Sequence, residues 1–170
     1  MMERIVRNYL DIKSLSELKH KKKPNNEYIV KKVSSEDFQL NKFFYKQIGR
    51  NHKWNERLVW DDKKWIDYVS NSSVFTFVLK DNENIAGFFE IIYHKNKLEM
   101  EIAYFGLLRD YMAKKLGGYM LTEAIKISFS YNVKRVWVHT CSLDHKNALK
   151  NYLARGMKIY NTETVVTKSA

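Results

Sequence analysis

Cysteine, proline and glycine are scarce in this 170-residue chain, which has one cysteine, one proline and six glycines. Because Cys141 has no second cysteine to pair with, no intrachain disulfide can form, and a reducing compartment is expected. The sequence also lacks a run of about 18 apolar residues, the length that a transmembrane helix requires. Its charged N-terminus has no apolar segment of the signal-peptide kind. We therefore expect a cytoplasmic protein with no membrane partner.

Acidic residues are outnumbered by basic ones, 19 to 30, which gives a formal net charge of +11. One interpretation is a polyanionic partner, such as nucleic acid or a phosphorylated ligand. The other is a composition bias with lysines spread over solvated faces, because the only short basic run is Lys19–Lys23, before Pro24. No stretch resembles a nucleic-acid-binding signature, so nucleic acid is not the expected partner. The single cysteine and the scattered histidines predict no metal site.

Apolar residues make up 45% of the chain and aromatic residues 14%, which is enough for a sizeable core. We expect a single domain over residues 1–170. Residues 1–25 are interpreted as an N-terminal extension that can hold an extra strand at Arg4–Ile12.

Hydrophobic periodicity predicts the order of the remaining elements. A strand at Glu27–Val33 is followed by two helices, one at Asp37–Ile48 and one that starts at Asp61. Three strands joined by short polar turns then predict an antiparallel meander, followed by helix, strand, helix and strand. The predicted bounds are Val74–Leu79, Ile85–Tyr93 and Leu98–Leu107 for the meander, then Lys114–Tyr131, Arg135–Cys141, His145–Arg155 and Met157–Thr167. This order predicts an α+β fold with a mixed central sheet.

Two of the six glycines, Gly117 and Gly118, stand side by side near the start of an amphipathic helix. A glycine inside a helix costs roughly 0.5–1 kcal/mol relative to alanine, so bare backbone is expected to have a use there. A strand–loop–helix junction presents free N–H groups and the positive end of the helix dipole, which suit a phosphate. Lys114 and Lys115 would add charge. The alternative is that glycine permits a close helix–sheet contact.

The segment resembles the acyl-CoA-binding turn of the GNAT superfamily of N-acetyltransferases. That turn has Gln or Arg, two residues of any kind, Gly, one residue of any kind, and then Gly or Ala. In this sequence Met112 takes the first of these positions, Lys115 the place of the first glycine, and Gly117 the last position. The two phosphate-binding patterns of P-loop and dinucleotide-binding proteins are absent.

A second resemblance lies in the last predicted helix and strand. Ala148, Tyr152, Gly156 and Met157 have the spacing of the corresponding GNAT segment, Ala, three residues, Tyr, three residues, Gly, then Phe or Met. The resemblance spans at least residues 74–160, follows the GNAT element order, and looks like an uncharacterised bacterial branch of the superfamily.

The resemblance implies that acetyl-CoA is the donor, used as a co-substrate, and that a primary amine of a small molecule or protein is the acceptor. It implies that a strand holds the pantetheine arm and that the turn holds the pyrophosphate. The residues expected to bind the donor are Phe105, Gly106, Leu107, Leu108, Met112, Ala113, Lys114, Lys115, Leu116, Gly117, Gly118, Asn147 and Tyr152.

The resemblance makes Tyr152 the general acid that protonates the departing thiolate, although a packing tyrosine is the alternative. An amine with a pKa of about 10.4 must lose a proton before it attacks. Glu101 and Glu90 are the candidate bases. Both lie on apolar central strands, where a salt-bridged carboxylate is the alternative. His139 is expected to be a sheet residue, with a role in acceptor binding as the alternative.

Three tryptophans, Trp54, Trp60 and Trp65, either line an acceptor pocket or belong to the core. Two other functions stay open: a CoA-binding GNAT-fold protein without transfer activity, and a basic nucleic-acid-binding module. The oligomeric state is also open, with a homodimer among the alternatives.

Overall fold

A computed structural model describes residues 2–34 and 37–168 of the chain. Its elements, in chain order, are β1 (Met2–Ile12), β2 (Tyr28–Lys32), α1 (Phe38–Gly49), α2 (Asp62–Val69), β3 (Val74–Asp81), β4 (Asn84–His94), β5 (Glu99–Leu107), α3 (Leu116–Phe129), β6 (Arg135–Cys141), α4 (Ala148–Ala154) and β7 (Lys158–Lys168). Among the described residues, no helix is both long enough and apolar enough to cross a bilayer.

The strands form one sheet in the order β2-β3-β4-β5-β6-β1-β7. Every neighbouring pair is antiparallel except β5 and β6, which run parallel. Helix α3 connects these two strands, as a parallel crossover requires. The predicted α+β architecture, an antiparallel meander followed by helix, strand, helix and strand, is confirmed.

The strand predicted at Arg4–Ile12 is β1, and it lies inside the sheet rather than beside it. β1 pairs with β6 on one edge and with β7 on the other, so that Arg7 stands opposite both Cys141 and Glu163. Leu10 and Ile12 are buried in the main core. The N-terminal residues are therefore a structural part of the sheet.

Helices cover both faces of the sheet, and the alternation of side chains along β4 shows how. Phe88 stacks on Phe44 of α1, with ring centroids 4.7 Å apart. The next residue, Phe89, points to the opposite face, where it stacks on Phe77 and shares a core with Leu116 and Met120 of α3. The site described below lies where these two layers meet the ends of the strands.

Helix α3 starts at Leu116, two residues later than predicted, because Lys115 has a left-handed backbone with φ 59°. It ends at Phe129, shortly before Asn132, which is also left-handed with φ 57°. Helix α4 starts at Ala148 rather than at His145. Each difference shortens a helix at a turn that the hydrophobic pattern did not reveal.

We expect Leu10→Ala to lower the free energy of unfolding by about 2–5 kcal/mol, because its side chain is fully buried in an interior strand. The matched control is Val6→Ala on the same strand, where the side chain is 45% exposed and a change below about 1 kcal/mol is expected. Urea unfolding measures both variants. Equal losses would contradict the interior position of β1.

Candidate active site

A cavity of about 1320 Å³ opens where β5 and β6 separate. The two strands pair only at Glu99↔Arg135, Met100↔Val136 and Glu101↔Trp137. β5 nevertheless stays paired with β4 as far as Leu107. The edge of β5 that faces β6 is thus left without a strand partner, and residues 101–107 line the cavity.

A β-bulge bends β5 at the point where it leaves β6. Glu90 stands opposite Tyr104 and Ile91 opposite Ile102, so Ala103 is the extra residue. Further along, the Leu108 amide donates to the Ala86 carbonyl of β4. Because successive amides of a strand point to opposite edges, the Leu107 amide points into the cavity.

One end of the cavity is formed by the start of α3. Main-chain amides of residues 113 and 115–118 donate no hydrogen bond to any residue of the described chain. The amides of a first helical turn have no intrahelical partner and, with the helix dipole, favour an anion. The left-handed Lys115 occupies the place of the family's first glycine, so the backbone there has the conformation that glycine adopts most readily.

The glycine pair is not required by helix–sheet packing. A Cβ added at Gly117 would lie 3.5 Å from Asn151 Nδ2 and 4.0 Å from Leu107 Cδ1, which are ordinary contacts. A Cβ at Gly118 would overlap the flexible side chain of Arg155 and touch Lys21. The bare backbone therefore faces the cavity and two cations, which favours the anion-site interpretation of the sequence over close helix–sheet contact.

Four cationic side chains line this end of the cavity: Lys21, Lys115, Lys150 and Arg155. Arg155 Nη1 donates to Asn151 Oδ1 at 3.3 Å, whereas its buried Nε has no partner among the described residues. No described carboxylate pairs with this guanidinium, and burial lowers its pKa. The positive charge at this end is thus uncompensated.

Tyr152 lies on α4 in the cavity wall, with its ring 6.4 Å from that of Phe105. Its hydroxyl makes no hydrogen bond within the described chain. Burial, and to a lesser extent Asp144, raise the pKa of Tyr152 well above the usual phenol value. The hydroxyl is therefore protonated at neutral pH and free to donate.

The cavity brings together most of the residues expected to bind the donor. Those that line it are Phe105, Gly106, Leu107, Met112, Lys115, Gly117, Gly118, Asn147 and Tyr152. Four expected residues do not line it. The Leu108 amide is bonded to β4, and Leu116 is buried in the core. The Lys114 ammonium lies over the Tyr111 ring. Ala113 offers only its unbonded amide.

The two candidate carboxylates lie in different surroundings. Glu101 lines the cavity, and its Oε2 is 2.8 Å from Nε2 of His94. Glu90 is fully buried and does not line it. The carboxylate of Glu90 accepts hydrogen bonds from Arg57, Asn41 and Tyr68, so its lone pairs are occupied by protein donors.

Arg57, which sequence reasoning missed, is the cation at the other end of the cavity. It is 6% exposed and pairs with Glu90 at 2.9 Å. Burial acts to lower the pKa of Arg57, but Glu90 and then Tyr68 raise it above its usual value. The signal in the sequence was an arginine among tryptophans in the charged loop between the first two helices.

Five aromatic rings surround the Arg57 guanidinium at 4.1–5.6 Å, contributed by Tyr45, Trp60, Trp65, Tyr68 and Tyr104. An aromatic pocket, one of the two alternatives for the tryptophans, is therefore present, but its centre is filled by the chain's own cation. Trp65 belongs to the core, whereas Trp54 and Trp60 line the cavity.

His139 and Cys141 also line the cavity. Burial and the nearby Arg7 lower the pKa of His139, which keeps the imidazole neutral at pH 7. Burial raises the pKa of the Cys141 thiol, so little thiolate is present. Within residues 2–34 and 37–168, no cluster of three or more His, Cys, Asp or Glu side chains is placed to hold a metal ion.

Comparison with known proteins agrees with this geometry. The sequence profile of the Acetyltransferase (GNAT) family matches residues 35–157. No curated protein sequence matches significantly. A GCN5-related N-acetyltransferase from Sphaerobacter thermophilus superposes with a TM-score of 0.72 at 14% identity, over 96% of this chain and 50% of that one.

Two further solved structures share the fold. A GCN5-related N-acetyltransferase from Kribbella flavida has a TM-score of 0.67 at 13% identity, over 97% of this chain and 58% of that one. A spermidine N-acetyltransferase from Vibrio cholerae, in complex with CoA and spermine, has a TM-score of 0.64 at 15% identity, over 78% of this chain and 81% of that one. This chain thus spans little more than half of the first two proteins.

We expect Glu90→Gln to lower the free energy of unfolding by about 3–5 kcal/mol, because it leaves the buried Arg57 charge without a counterion. Glu83→Gln is the matched control, because Glu83 forms an ion pair with Lys80 at 3.8 Å but its side chain is 97% exposed. A loss below about 1 kcal/mol is expected for it. Guanidinium unfolding measures both. A loss no larger than that of the control would refute the anchoring role of the pair.

Proposed function

The chain belongs to the GNAT family of acetyltransferases, and on that premise we propose that it moves an acetyl group from acetyl-CoA to a primary amine by direct attack. The observation that carries the proposal is one cavity that combines three features. These are unbonded amides at the start of α3, the unpaired edge of β5, and the free hydroxyl of Tyr152.

The donor would lie along β5, with its pyrophosphate at the amides of residues 115–118. Lys115, Lys150 and Arg155 supply the positive charge. The pantetheine arm carries amides, and these would pair with the open edge of β5 as a further strand does. The thioester then lies near the bulge at Ala103, between Tyr152 and the Glu101 side of the cavity.

In the reaction, the neutral amine attacks the thioester carbonyl carbon and forms a tetrahedral intermediate. The Phe105 amide, which by the same alternation points into the cavity and stands nearer the bulge than that of Leu107, would donate to the oxyanion. Collapse of the intermediate breaks the carbon–sulfur bond, and Tyr152 would give its proton to the leaving thiolate. Glu101, directly or through water, would accept the proton of the amine.

Glu90 has a different role in this proposal. Because its oxygens are bonded to Arg57, Asn41 and Tyr68, it would position the acceptor side of the cavity rather than take a proton itself. Trp54, Trp60 and the exposed Glu56 are the groups that meet the acceptor there. A small-molecule or protein amine fits this wall, and we propose the cytoplasm as its location.

A second candidate function is CoA binding without transfer. It is favoured by the engagement of both candidate bases, since Glu101 is bonded to His94 and Glu90 is fully buried. The two functions share the donor site and differ in whether an amine is consumed.

We expect Gly117→Val to keep the fold but to lose acetyl-CoA, because its side chain has room in the protein and would occupy the phosphate position. Differential scanning fluorimetry and calorimetric titration test this. Acetyl-CoA at about 100 times its dissociation constant should stabilise the wild type by about 2.7 kcal/mol. Gly117→Ala should fall between the two, and wild type without any ligand-induced stabilisation would end the proposal.

We expect Tyr152→Phe to lower kcat by about 10²–10⁴ while the affinity for acetyl-CoA is unchanged, since only the proton donor is removed. Tyr131→Phe, on a tyrosine that packs against Phe75 away from the cavity, is the control and should keep full activity. Thiol release is followed with a panel of primary amines. If the wild type binds acetyl-CoA but acetylates no amine, the binding-only function replaces the enzymatic one.

A further inference from the structure

The segment between β1 and β2 crosses the start of α3 and the end of α4, and we call residues 14–24 the strap. Its main chain is held at several points. The Lys19 amide donates to the Arg155 carbonyl at 2.9 Å, and the Lys21 amide donates to Thr122 Oγ1 at 3.0 Å. Leu18 is buried in the main core, and the Glu17 carbonyl lies against Gly156. The strap is therefore fixed in place, while its basic side chains point to solvent.

The basic run of the strap, Lys19–Lys23, is exposed throughout and forms no ion pair with any described carboxylate. A second cavity of about 530 Å³ lies between this run and α3. Glu123, the carboxylate in its lining, is already bonded to Lys126 at 3.2 Å. Fixed lysines that repel one another without a counterion favour binding of an anion.

The two cavities adjoin at Lys21, which lines both of them. Thr122, which anchors the strap, is one helical turn beyond Gly118, a rise of about 6 Å along α3. Arg155, whose carbonyl accepts from Lys19, presents to the same region a guanidinium that has no described carboxylate partner and whose Nε is unbonded. A ligand that carries a diphosphate at the 5′ position and a phosphate at the 3′ position of one ribose would meet both the first turn of α3 and the strap.

We propose that the strap, through Lys21, Lys22 and Arg155, binds the 3′-phosphate of coenzyme A and makes this chain select coenzyme A over dephospho-CoA. The inference rests on the proposed function, since it assigns the second phosphate of the same ligand. A phosphate monoester on the ribose carries close to two negative charges, and it stands a few ångströms from the diphosphate that α3 receives. The N-terminal segment thereby becomes part of the donor site.

The test is calorimetric titration of the whole chain with CoA and with dephospho-CoA at one fixed, low salt concentration. The wild type should bind CoA at least about tenfold more tightly than dephospho-CoA, which corresponds to about 1.4 kcal/mol. The double variant Lys21→Ala/Lys22→Ala should lose most of this preference and bind dephospho-CoA within about twofold of the wild type.

The matched control is Lys95→Ala/Lys97→Ala, which removes the same charge from an exposed turn between β4 and β5 that lines neither cavity. It should keep the full preference. Equal affinity of the wild type for CoA and dephospho-CoA would overturn the inference and leave the proposed function intact. No binding of either ligand would overturn both.

A third arm uses a short DNA duplex at 0.15 M salt, because a basic strap also suits a polyanion. Binding of the duplex that is abolished by Lys21→Ala/Lys22→Ala, together with no preference for CoA, would replace the inference by a nucleic-acid site. Preference for CoA without duplex binding supports it. The melting temperatures of both double variants verify that the fold is retained.

Discussion

The candidate site depends on the end of the parallel pairing between β5 and β6 at Glu101 and Trp137. Two paired strands would bury their edges in each other and leave no room for a ligand. Here the bulge at Ala103 bends β5 while β5 stays hydrogen-bonded to β4, so the other edge of β5 is open along the cavity. Backbone donors and acceptors on an open edge are strong binding groups that need a partner. The first turn of α3 and the Tyr152 face of α4 both line the cavity that this separation opens.

The far end of the cavity is organised by the buried ion pair of Arg57 and Glu90. An ion pair of this kind gives little net stability, because removing two charges from water costs about as much as their attraction returns. Its effect is positional. The loop after α1 has little regular structure, yet Arg57 ties it to β4, and the surrounding rings restrict the guanidinium further. Trp54 and Trp60 are thereby held at the cavity wall.

The N-terminal segment contributes to both fold and site. As β1 it lies between β6 and β7 and joins them, because these two strands do not pair with each other. As the strap it lies across α3 and α4 where the unbonded amides are found. The contacts of this segment are long-range, since β1 pairs with residues more than a hundred positions away in the sequence.

Much of the fold was predictable because local periodicity reports which face of an element is buried. Short-range pattern predicts the meander and the succession α3, β6, α4 and β7. It also singles out Gly117 as a position where bare backbone has a use. The starts of α3 and α4 lie two and three residues after the approximate predicted ones, because left-handed Lys115 and the turn before Ala148 leave no hydrophobic trace. The role proposed for Tyr152 came from the spacing of a family motif, and the structure adds that its hydroxyl is unbonded within the described chain.

The sequence by itself thus determined the order and type of the elements, and it indicated the turn that we propose as the anion site. Only the tertiary structure decided that β1 is an interior strand, that Glu90 forms a buried ion pair with Arg57, and that the strap reaches the start of α3. The physical reason is range. Hydrophobic alternation and turn chemistry act over a few residues and can be read along the chain, whereas strand insertion and buried charge pairing join distant segments. Their energies depend on burial, which exists only once the sheet is assembled.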